Sequence, residues 1–523
     1  MACVDSGLTS NIDEFAFENW GGPAESASFT ADTLVSIFGY ENTCMPDASG
    51  CVMYPAAQQW MDQMNAAIEG GRCEGMATLS QRLLEGRDVA GDLQAGAMST
   101  VDLSRDTEMV GGSIAKWWAS QTFDAVRRST EPTREWSPSR MVNEIVSALQ
   151  SKKGPTLGLY GADQAHAITP VAVTTDGAGS FIVHVYDNNY PGRILPVNID
   201  ANAETWSYDM AAANSGEEAA IWSGGTGTMD LTLMDSREAA TSAPWSDESE
   251  TKGSTTVTVS TGGRSHVGLQ IRTDSATVNT DDRSTWADGI SVFPFLDGDG
   301  NSGVSVVVPK SMGKATVTPV LGASGGTEAV PLVMTVDFPG RGSTQIQADL
   351  SDEELATLPE FTFEGDEAGY SFEVDGGGEF DLEYAYGEEE ADYDLSGDVT
   401  FSVEEGDDNT DLSLRDSDGN EVWQSEFDGE DDDGVYGSVD ISYDEDTGTL
   451  EESTSEFESY VITDDADGAT DETSVDSTDA PDNSSSPEST DPSGGASGDT
   501  EAPAGSDMGE STGSGSNTED TSP

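Results

Sequence analysis

Three residues that lie far apart in the sequence could together carry out thiol chemistry. Cys73 follows a Gly-Gly-Arg segment and precedes a run of apolar residues at helical spacing. His166 opens a strand-like run, and Asp187 closes the next one. A cysteine, then a histidine, then a carboxylate or amide is the chain order that one kind of nucleophilic thiol chemistry requires. We therefore take Cys73, His166 and Asp187 as a candidate catalytic set.

The sequence around Cys73 favours a reactive thiol. Gly70 and Gly71 permit a tight turn with positive φ directly before a helix predicted over 74–84. A cysteine in the first turn of a helix lies at the positive end of the helix dipole, which lowers the thiol pKa. The unpaired backbone N–H groups there can also hold an oxyanion.

A predicted hairpin brings His166 and Asp187 to the same end of a sheet. Strands are expected over 167–173 and 181–186, with Asp176-Gly177-Ala178-Gly179 as the turn between them. Pairing across this turn places His166 opposite Asn188 or Asn189, and a slip of one residue would change which side chain faces the imidazole. An acid or amide at that point can fix the tautomer and orientation of the histidine.

The elements that must position these residues indicate an α+β fold for residues 1–225. Helical patterns come first and strand patterns follow, which is typical of helices packed on an antiparallel sheet. The predicted helices cover 31–38, 56–68, 74–84, 113–128 and 139–151, and the predicted strands cover 156–160, 167–173 and 181–186.

The remainder of the chain reads as β structure and then as a polar tail. We expect a linker over 226–250, followed by two all-β domains of sandwich or barrel type at 251–350 and 351–460. Residues 461–523 consist of Ser, Thr, Asp, Gly and Pro with almost no large apolar side chain. Such a segment cannot bury enough surface to offset its ordering entropy, so we expect it to be disordered.

The segments that carry the three candidate residues resemble the papain-like cysteine peptidase superfamily, and in particular its poorly characterised bacterial members. The likeness rests on Gly-Gly-Arg-Cys-Glu-Gly-Met-Ala, Gln-Ala-His-Ala-Ile-Thr-Pro-Val-Ala-Val and Val-Tyr-Asp-Asn-Asn-Tyr-Pro-Gly, and it covers roughly residues 10–225. It implies a cysteine on a helix that packs against a sheet carrying the histidine and the acid. By this resemblance Cys73 would be the nucleophile, His166 the general base and acid, and Asp187 the orienting residue. A peptide or protein substrate and no cofactor would follow.

Some features depart from that family. Papains have a glutamine a few residues before the cysteine, whereas here Gln63 lies ten residues upstream and Asn65 lies between them. Transglutaminase-like enzymes share the Cys, His, Asp order but typically show Trp after the histidine, where this chain has Ala167. That difference favours hydrolysis, and two alternatives stay open: a transglutaminase-like acyl transferase, or a catalytically silent surface or binding protein on the same frame.

The charge of the chain restricts its partners. Lys and Arg number 21 against 100 Asp and Glu, and the acids concentrate in the second half, with 35 before residue 251 and 65 after residue 250. Nucleic acid and anionic membranes are therefore disfavoured, because binding phosphates requires clustered cations. Heavy acidity with only six lysines fits a chain that stays hydrated in high salt, and it equally fits an ordinary acidic enzyme with very acidic appendages.

The remaining candidate sites carry weaker signals. The four cysteines, Cys3, Cys44, Cys51 and Cys73, allow three pairings, and the sequence does not decide between them. Cys44 and Cys51 flank a short loop and could form a disulfide, in which case Cys73 can remain free, whereas ligand spacing for zinc is lacking. The segment 297–301 begins like a calcium loop, but positions six and twelve do not fit an EF-hand, so a β-turn is favoured.

No secretory signal and no membrane-spanning stretch is visible. The tail favours an extracellular or cell-envelope location, while the missing signal leaves the cytoplasm open; the oligomeric state is not indicated.

Overall fold

Most of the first 460 residues are described by the computed structural model. The described residues are 2–22, 29–46, 50–161, 165–209, 221–246, 253–262, 266–296, 303–321, 330–338, 342–350, 360–365, 370–376, 379–387, 389–397, 399–405, 410–427, 437–445, 447–456 and 459–460. Two predictions lie outside them, namely the calcium-like loop at 297–301 and the disordered tail at 461–523. Among the described residues, no helix is both long enough and apolar enough to span a membrane.

The helices belong to the N-terminal half, in which helices and an antiparallel sheet pack together as predicted. The described helices are α1 (Ala31–Phe38), α2 (Tyr40–Thr43), α3 (Pro55–Ile68), α4 (Cys73–Leu84), α5 (Ala90–Leu93), α6 (Glu108–Ala119), α7 (Asp124–Thr130), α8 (Pro138–Gln150) and α9 (Met234–Arg237).

The single helix predicted over 113–128 is two helices in the structure. A 3-10 turn at Ser120–Thr122 separates α6 from α7. The Ser120 hydroxyl donates to the Trp117 carbonyl and the Thr122 hydroxyl donates to the Ala119 carbonyl. Such side-chain bonds compete with the helical ladder, and this explains why apolar periodicity alone missed the break.

One antiparallel sheet supports the helices. Its strand order is β8-β7-β6-β5-β4-β3-β9, and β1 pairs with the second half of β4. The predicted linker at 226–250 is wrong in part, because β9 pairs with β3 inside this sheet and α9 follows directly. The first nine strands are β1 (Ala2–Asp5), β2 (Cys51–Val52), β3 (Pro155–Tyr160), β4 (Ala165–Thr175), β5 (Ser180–Tyr186), β6 (Ile194–Asp200), β7 (Thr205–Asp209), β8 (Ile221–Gly224) and β9 (Met229–Leu233).

The C-terminal half forms one sandwich where the sequence predicted two β domains. A nine-stranded sheet has the order β13-β14-β10-β16-β17-β20-β21-β25-β26, and an eight-stranded sheet has the order β12-β11-β15-β18-β19-β22-β23-β24. Each sheet draws strands from both predicted domains, and one apolar core joins both sheets. The alternation of apolar and polar residues indicates which face of a strand is buried, but it does not indicate which strands pair, and so the boundary at 350 was misplaced.

The strands of the C-terminal half have the following bounds: β10 (Ser254–Ser260), β11 (Val267–Thr273), β12 (Thr277–Asn279), β13 (Ser291–Pro294), β14 (Gly303–Pro309), β15 (Ala315–Leu321), β16 (Val330–Phe338), β17 (Gly342–Leu350), β18 (Glu360–Gly365), β19 (Tyr370–Gly376), β20 (Glu379–Tyr386), β21 (Glu389–Ser396), β22 (Val399–Glu405), β23 (Thr410–Arg415), β24 (Glu421–Phe427), β25 (Gly437–Asp444), β26 (Thr449–Glu456) and β27 (Ser459–Tyr460). The last of these pairs with β2 of the N-terminal half.

Helix α3 connects the two halves of the molecule. The buried Gln63 side chain donates to the Ser260 hydroxyl at 2.8 Å and accepts from the Thr335 hydroxyl at 3.0 Å. Gln59, one turn earlier, donates to the Glu383 carbonyl at 3.3 Å. Polar side chains of α3 therefore form hydrogen bonds with the nine-stranded sheet.

Candidate active site

Cys73 is the first residue of α4, as the sequence predicted for a cysteine at the start of a helix. Gly71 has a φ of 142°, so the turn before the helix uses a conformation that glycine favours. At Gly75, a Cβ atom would collide with the carbonyl of Ile114 in α6. The absence of side chains at these two positions lets the helix start pack deep in the N-terminal half, where Cys73 is fully buried.

Cys73 is not part of a disulfide. Cys44 and Cys51 form one instead, which confirms the pairing that the sequence suggested for them.

Backbone and amide contacts hold Cys73 against the strand that carries His166. The backbone N–H of Ala167, the residue after His166, donates to Cys73 Sγ at 3.3 Å. Asn188 Nδ2 donates to the carbonyl of Cys73 at 3.0 Å and to that of Ala167 at 3.1 Å. The helix start, strand β4 and the segment after β5 therefore meet at one point.

His166 and Asp187 are in direct contact. His166 Nε2 lies 2.8 Å from Asp187 Oδ1, and both side chains are fully buried. Near the site, strands β4 and β5 pair Thr169 with Tyr186, which is one of the two registers expected from the turn. A bulge beside Pro170 shifts the register closer to the turn without separating His166 from Asp187.

The Asp187 carboxylate is held by three donors. Its Oδ1 also accepts the backbone N–H of Asn189 at 2.8 Å, and its Oδ2 accepts the hydroxyl of Tyr208 on β7. Burial alone would raise the pKa of Asp187, but the charge of His166 and these hydrogen bonds together lower it below its usual value. The acid is therefore ionised beside the imidazole at neutral pH.

The second imidazole nitrogen remains available for chemistry. Because Nε2 is committed to Asp187, Nδ1 is the atom that can exchange a proton with a nucleophile. His166 Nδ1 is buried and has no hydrogen-bond partner in the structure. A buried polar atom without a partner is costly, so such an atom is typical of a functional site.

Several residues of the site were missed by sequence reasoning. Tyr208 lies on a strand that was not predicted, although the alternation in Thr205–Asp209 would have indicated one. Asn188 was noted only as a residue opposite His166, and the structure gives it a bridging position. Asn19 was not considered, yet its Oδ1 accepts the backbone N–H of Arg72 at 2.7 Å, directly before Cys73.

The two upstream amides that the sequence offered in place of the papain glutamine are elsewhere. Gln63 is engaged with the sandwich through Ser260 and Thr335. Asn65 binds the backbone of Phe29 through both of its amide atoms. These hydrogen bonds of Gln63 and Asn65 thus go to residues distant in sequence from Cys73. Asn19, in contrast, accepts a hydrogen bond from Arg72, the residue directly before Cys73.

A residue that follows a strand of the sandwich packs beside Cys73. Leu296, two residues beyond β13, packs with Cys73, Ala165 and Ala167. Its backbone N–H donates to Gln121 Oε1 at 2.8 Å. The preceding Phe295 meets the Trp118 ring edge-on at 5.4 Å. In this structure Leu296 therefore joins the apolar cluster around the thiol, and Cys73 and His166 are both closed to solvent.

Buried ion pairs surround the site. Glu74, next to Cys73, pairs with Arg237. Arg134 Nε lies 3.0 Å from Asp230 Oδ2, and the Tyr160 hydroxyl donates to the same carboxylate oxygen at 2.5 Å. These two buried carboxylates thus each face an arginine, as burial of charge requires.

The comparison with models of known protein families found no match to this chain. The comparison with curated proteins likewise found none. The geometry of the site and the resemblance of its motifs are therefore the features from which a function is inferred.

Proposed function

We propose that this chain is a papain-like cysteine hydrolase that cleaves amide bonds in peptides or proteins. The observation that supports this most strongly is the contact series at one buried point. Cys73 Sγ accepts the N–H of Ala167, and the neighbouring His166 binds Asp187 through Nε2 while Nδ1 remains unbonded. A nucleophile, a base and an orienting acid are the parts that acyl transfer through a thiol requires.

The chemistry follows from these positions. His166 Nδ1 takes the thiol proton, and the Cys73 thiolate attacks the amide carbonyl to form a C–S bond. The imidazolium then protonates the leaving amine as the C–N bond breaks, which leaves a thioester. Water, deprotonated by His166, attacks the thioester, and the departing thiolate restores the starting state with a carboxylic acid as product. Asp187 stabilises the imidazolium in both halves of the reaction.

The negative oxygen of the tetrahedral intermediates needs donors. The backbone N–H at the start of α4 is one, since the first N–H groups of a helix lack internal partners. The carboxamide of Asn19, which is bonded to the Arg72 amide, is the side-chain donor that we assign in place of the papain glutamine.

The proposal is tested by the pH dependence of Cys73 alkylation. Iodoacetamide incorporation would be followed by mass spectrometry of the peptide that carries Cys73, in the wild type and in His166→Ala. We expect a thiol that titrates well below about 8.5 in the wild type and moves up towards that value without His166. Cys73→Ala is the blank, and His184→Ala is the matched histidine control, because His184 bonds Thr174 instead. A slow thiol with the same pH profile in both proteins would indicate a silent site.

The role of Asn19 is tested separately. In Asn19→Ala, acylation of Cys73 by an activated ester should fall about 10²–10³-fold, since the loss of one oxyanion donor typically has that effect. Alkylation by iodoacetamide should be unchanged, because that reaction forms no oxyanion. Equal losses in both reactions would instead indicate a disturbed α4 start.

A further inference from the structure

Carboxylates are crowded on the outer face of the nine-stranded sheet. Glu383 on β20 and Glu390 and Asp392 on β21 each offer an oxygen, and these oxygens lie within 4.8 Å of one another. Asp381, Asp394 and Asp440 line a groove on the same face, together with other polar residues. The alternation of side chains along neighbouring strands explains the crowding, because three successive residues on this face of each strand are acidic, namely 379, 381 and 383 on β20 and 390, 392 and 394 on β21.

The central carboxylates lack a cationic partner among the described ion pairs. Glu383 lies directly opposite Asp392 on the paired strands β20 and β21, and Glu390 lies on the same face of β21. Glu383 Oε2 accepts a weak bond of 3.3 Å from Gln345 Nε2. Such an arrangement is costly unless positive charge enters it.

A buried amide oxygen on α3 gives an independent indication of a ligand. Gln59 is fully buried, and its Nε2 donates to the backbone carbonyl of Glu383. Its Oε1 is buried and has no donor. Through the Nε2 hydrogen bond the carboxamide of Gln59 lies against β20 beside Glu383, and its oxygen is left unsatisfied there.

We propose that Glu383, Glu390, Asp392 and the side-chain oxygen of Gln59 form a binding site for a divalent cation, with Ca²⁺ as the best fit. All four donors are oxygens, and Ca²⁺ accepts six to eight of them at about 2.3–2.6 Å with flexible geometry. Two ligands on opposite sides of one Ca²⁺ are then about 5 Å apart, which accommodates oxygens within 4.8 Å of one another. Mg²⁺ needs a tighter octahedron and dehydrates reluctantly, and Zn²⁺ prefers nitrogen and sulfur ligands.

A cation at this point would connect the two halves of the molecule. Gln59 belongs to α3, whereas Glu383, Glu390 and Asp392 belong to the sandwich. Binding would therefore stabilise the contact between α3 and β20 in addition to neutralising the carboxylates. This site is independent of the thiol chemistry proposed above.

The test is calorimetric titration of the full chain with CaCl₂ in molar KCl, where diffuse binding to other acidic segments is screened. We expect a saturable site in the wild type that Glu390→Gln/Asp392→Asn weakens at least tenfold. The control Asp411→Asn/Glu421→Gln makes the same change in charge at two exposed positions of the sandwich and should retain full affinity.

Thermal unfolding provides a second measurement on the same proteins. Saturating Ca²⁺ should raise the wild-type Tm by at least about 2 °C relative to KCl of equal ionic strength, and the double variant should lose that rise. Wild-type affinity in the double variant, or an equal loss in the control, would overturn the proposal. If the double variant does not fold, Gln59→Met decides instead, and unchanged Ca²⁺ affinity there would equally overturn it.

Discussion

Two sets of acids, one in each half of the molecule, are compensated in opposite ways. In the N-terminal half, Glu74 faces Arg237, Asp230 faces Arg134 and Asp187 faces His166. On the outer face of the sandwich, Glu383, Glu390 and Asp392 face one another. The charges of the first set are balanced without any ligand, because each carboxylate contacts a basic side chain of the same protein. The second arrangement is complete only when positive charge arrives from solution.

This difference follows from where the few cationic residues occur. The first 250 residues hold 13 of the 21 Lys and Arg residues, and none occurs after Arg415. Beyond residue 340 the sequence has only Arg341 and Arg415, so the acids of a sheet built largely from this region have few cationic residues nearby in the sequence. We infer that fixed ion pairs stabilise the N-terminal half, and that the sandwich depends on dissolved cations.

The largest expected effect comes from breaking a fixed pair. In Asp230→Asn, Arg134 would stay buried without its counter-charge, and the free energy of unfolding should fall by about 3–5 kcal/mol. Urea denaturation of this variant and of Asp411→Asn, an exposed acid on β23, measures the contrast. A loss below about 1 kcal/mol would show that the pair is dispensable and would remove the distinction between the halves.

A smaller effect is expected from acid titration of Asp187. Its pKa is lowered in the folded state, since the charge of His166 and the hydrogen bonds outweigh the effect of burial. The stabilisation is therefore present above about pH 4, the unfolded pKa, and is lost as the pH falls through the folded pKa. Stability measured between pH 5 and pH 2 should decline less steeply in Asp187→Asn than in the wild type. Parallel curves would contradict the assigned direction.

The smallest effect is expected from removing one acid of the sandwich cluster. With a chelator present at neutral pH, Glu390→Gln should leave the free energy of unfolding unchanged or raise it by up to about 1 kcal/mol. No described cation loses its partner, and a crowded carboxyl is replaced by a neutral amide of similar shape. Chemical denaturation in chelator, compared with Asp411→Asn, measures it. A fall in the free energy of unfolding as large as that expected for Asp230→Asn would show that Glu390 has a stabilising partner of its own.

The sequence was sufficient to predict that His166 and Asp187 lie at the same end of a sheet. They lie at the two ends of one hairpin, so the turn brings them close, and the bulge beside Pro170 changes the register by one residue without separating them. Cys73 could be placed at a helix start from the local pattern of glycines and apolar residues. These features depend on short stretches of chain, where backbone preferences and periodicity are informative.

Contacts between distant segments could not be predicted in the same way. Tyr208 reaches Asp187 from β7, Asn19 reaches Arg72 from 53 residues upstream, and Leu296 reaches Cys73 from the sandwich. The mixing of strands from 251–350 and 351–460 in shared sheets has the same cause, since alternation predicts faces and leaves strand partners open.

Leu296 has a consequence for control of the thiol. In the proposed hydrolase the buried Cys73 must become accessible to a substrate carbonyl, and Leu296, which packs in the same cluster, follows β13 of the sandwich and is bonded to Gln121. If access requires Leu296 to move, then opening the site involves both halves, and any ligand that favours one arrangement would change the fraction of molecules with an accessible thiol. The sandwich would in that case act as an allosteric domain that couples the chemistry to its surroundings.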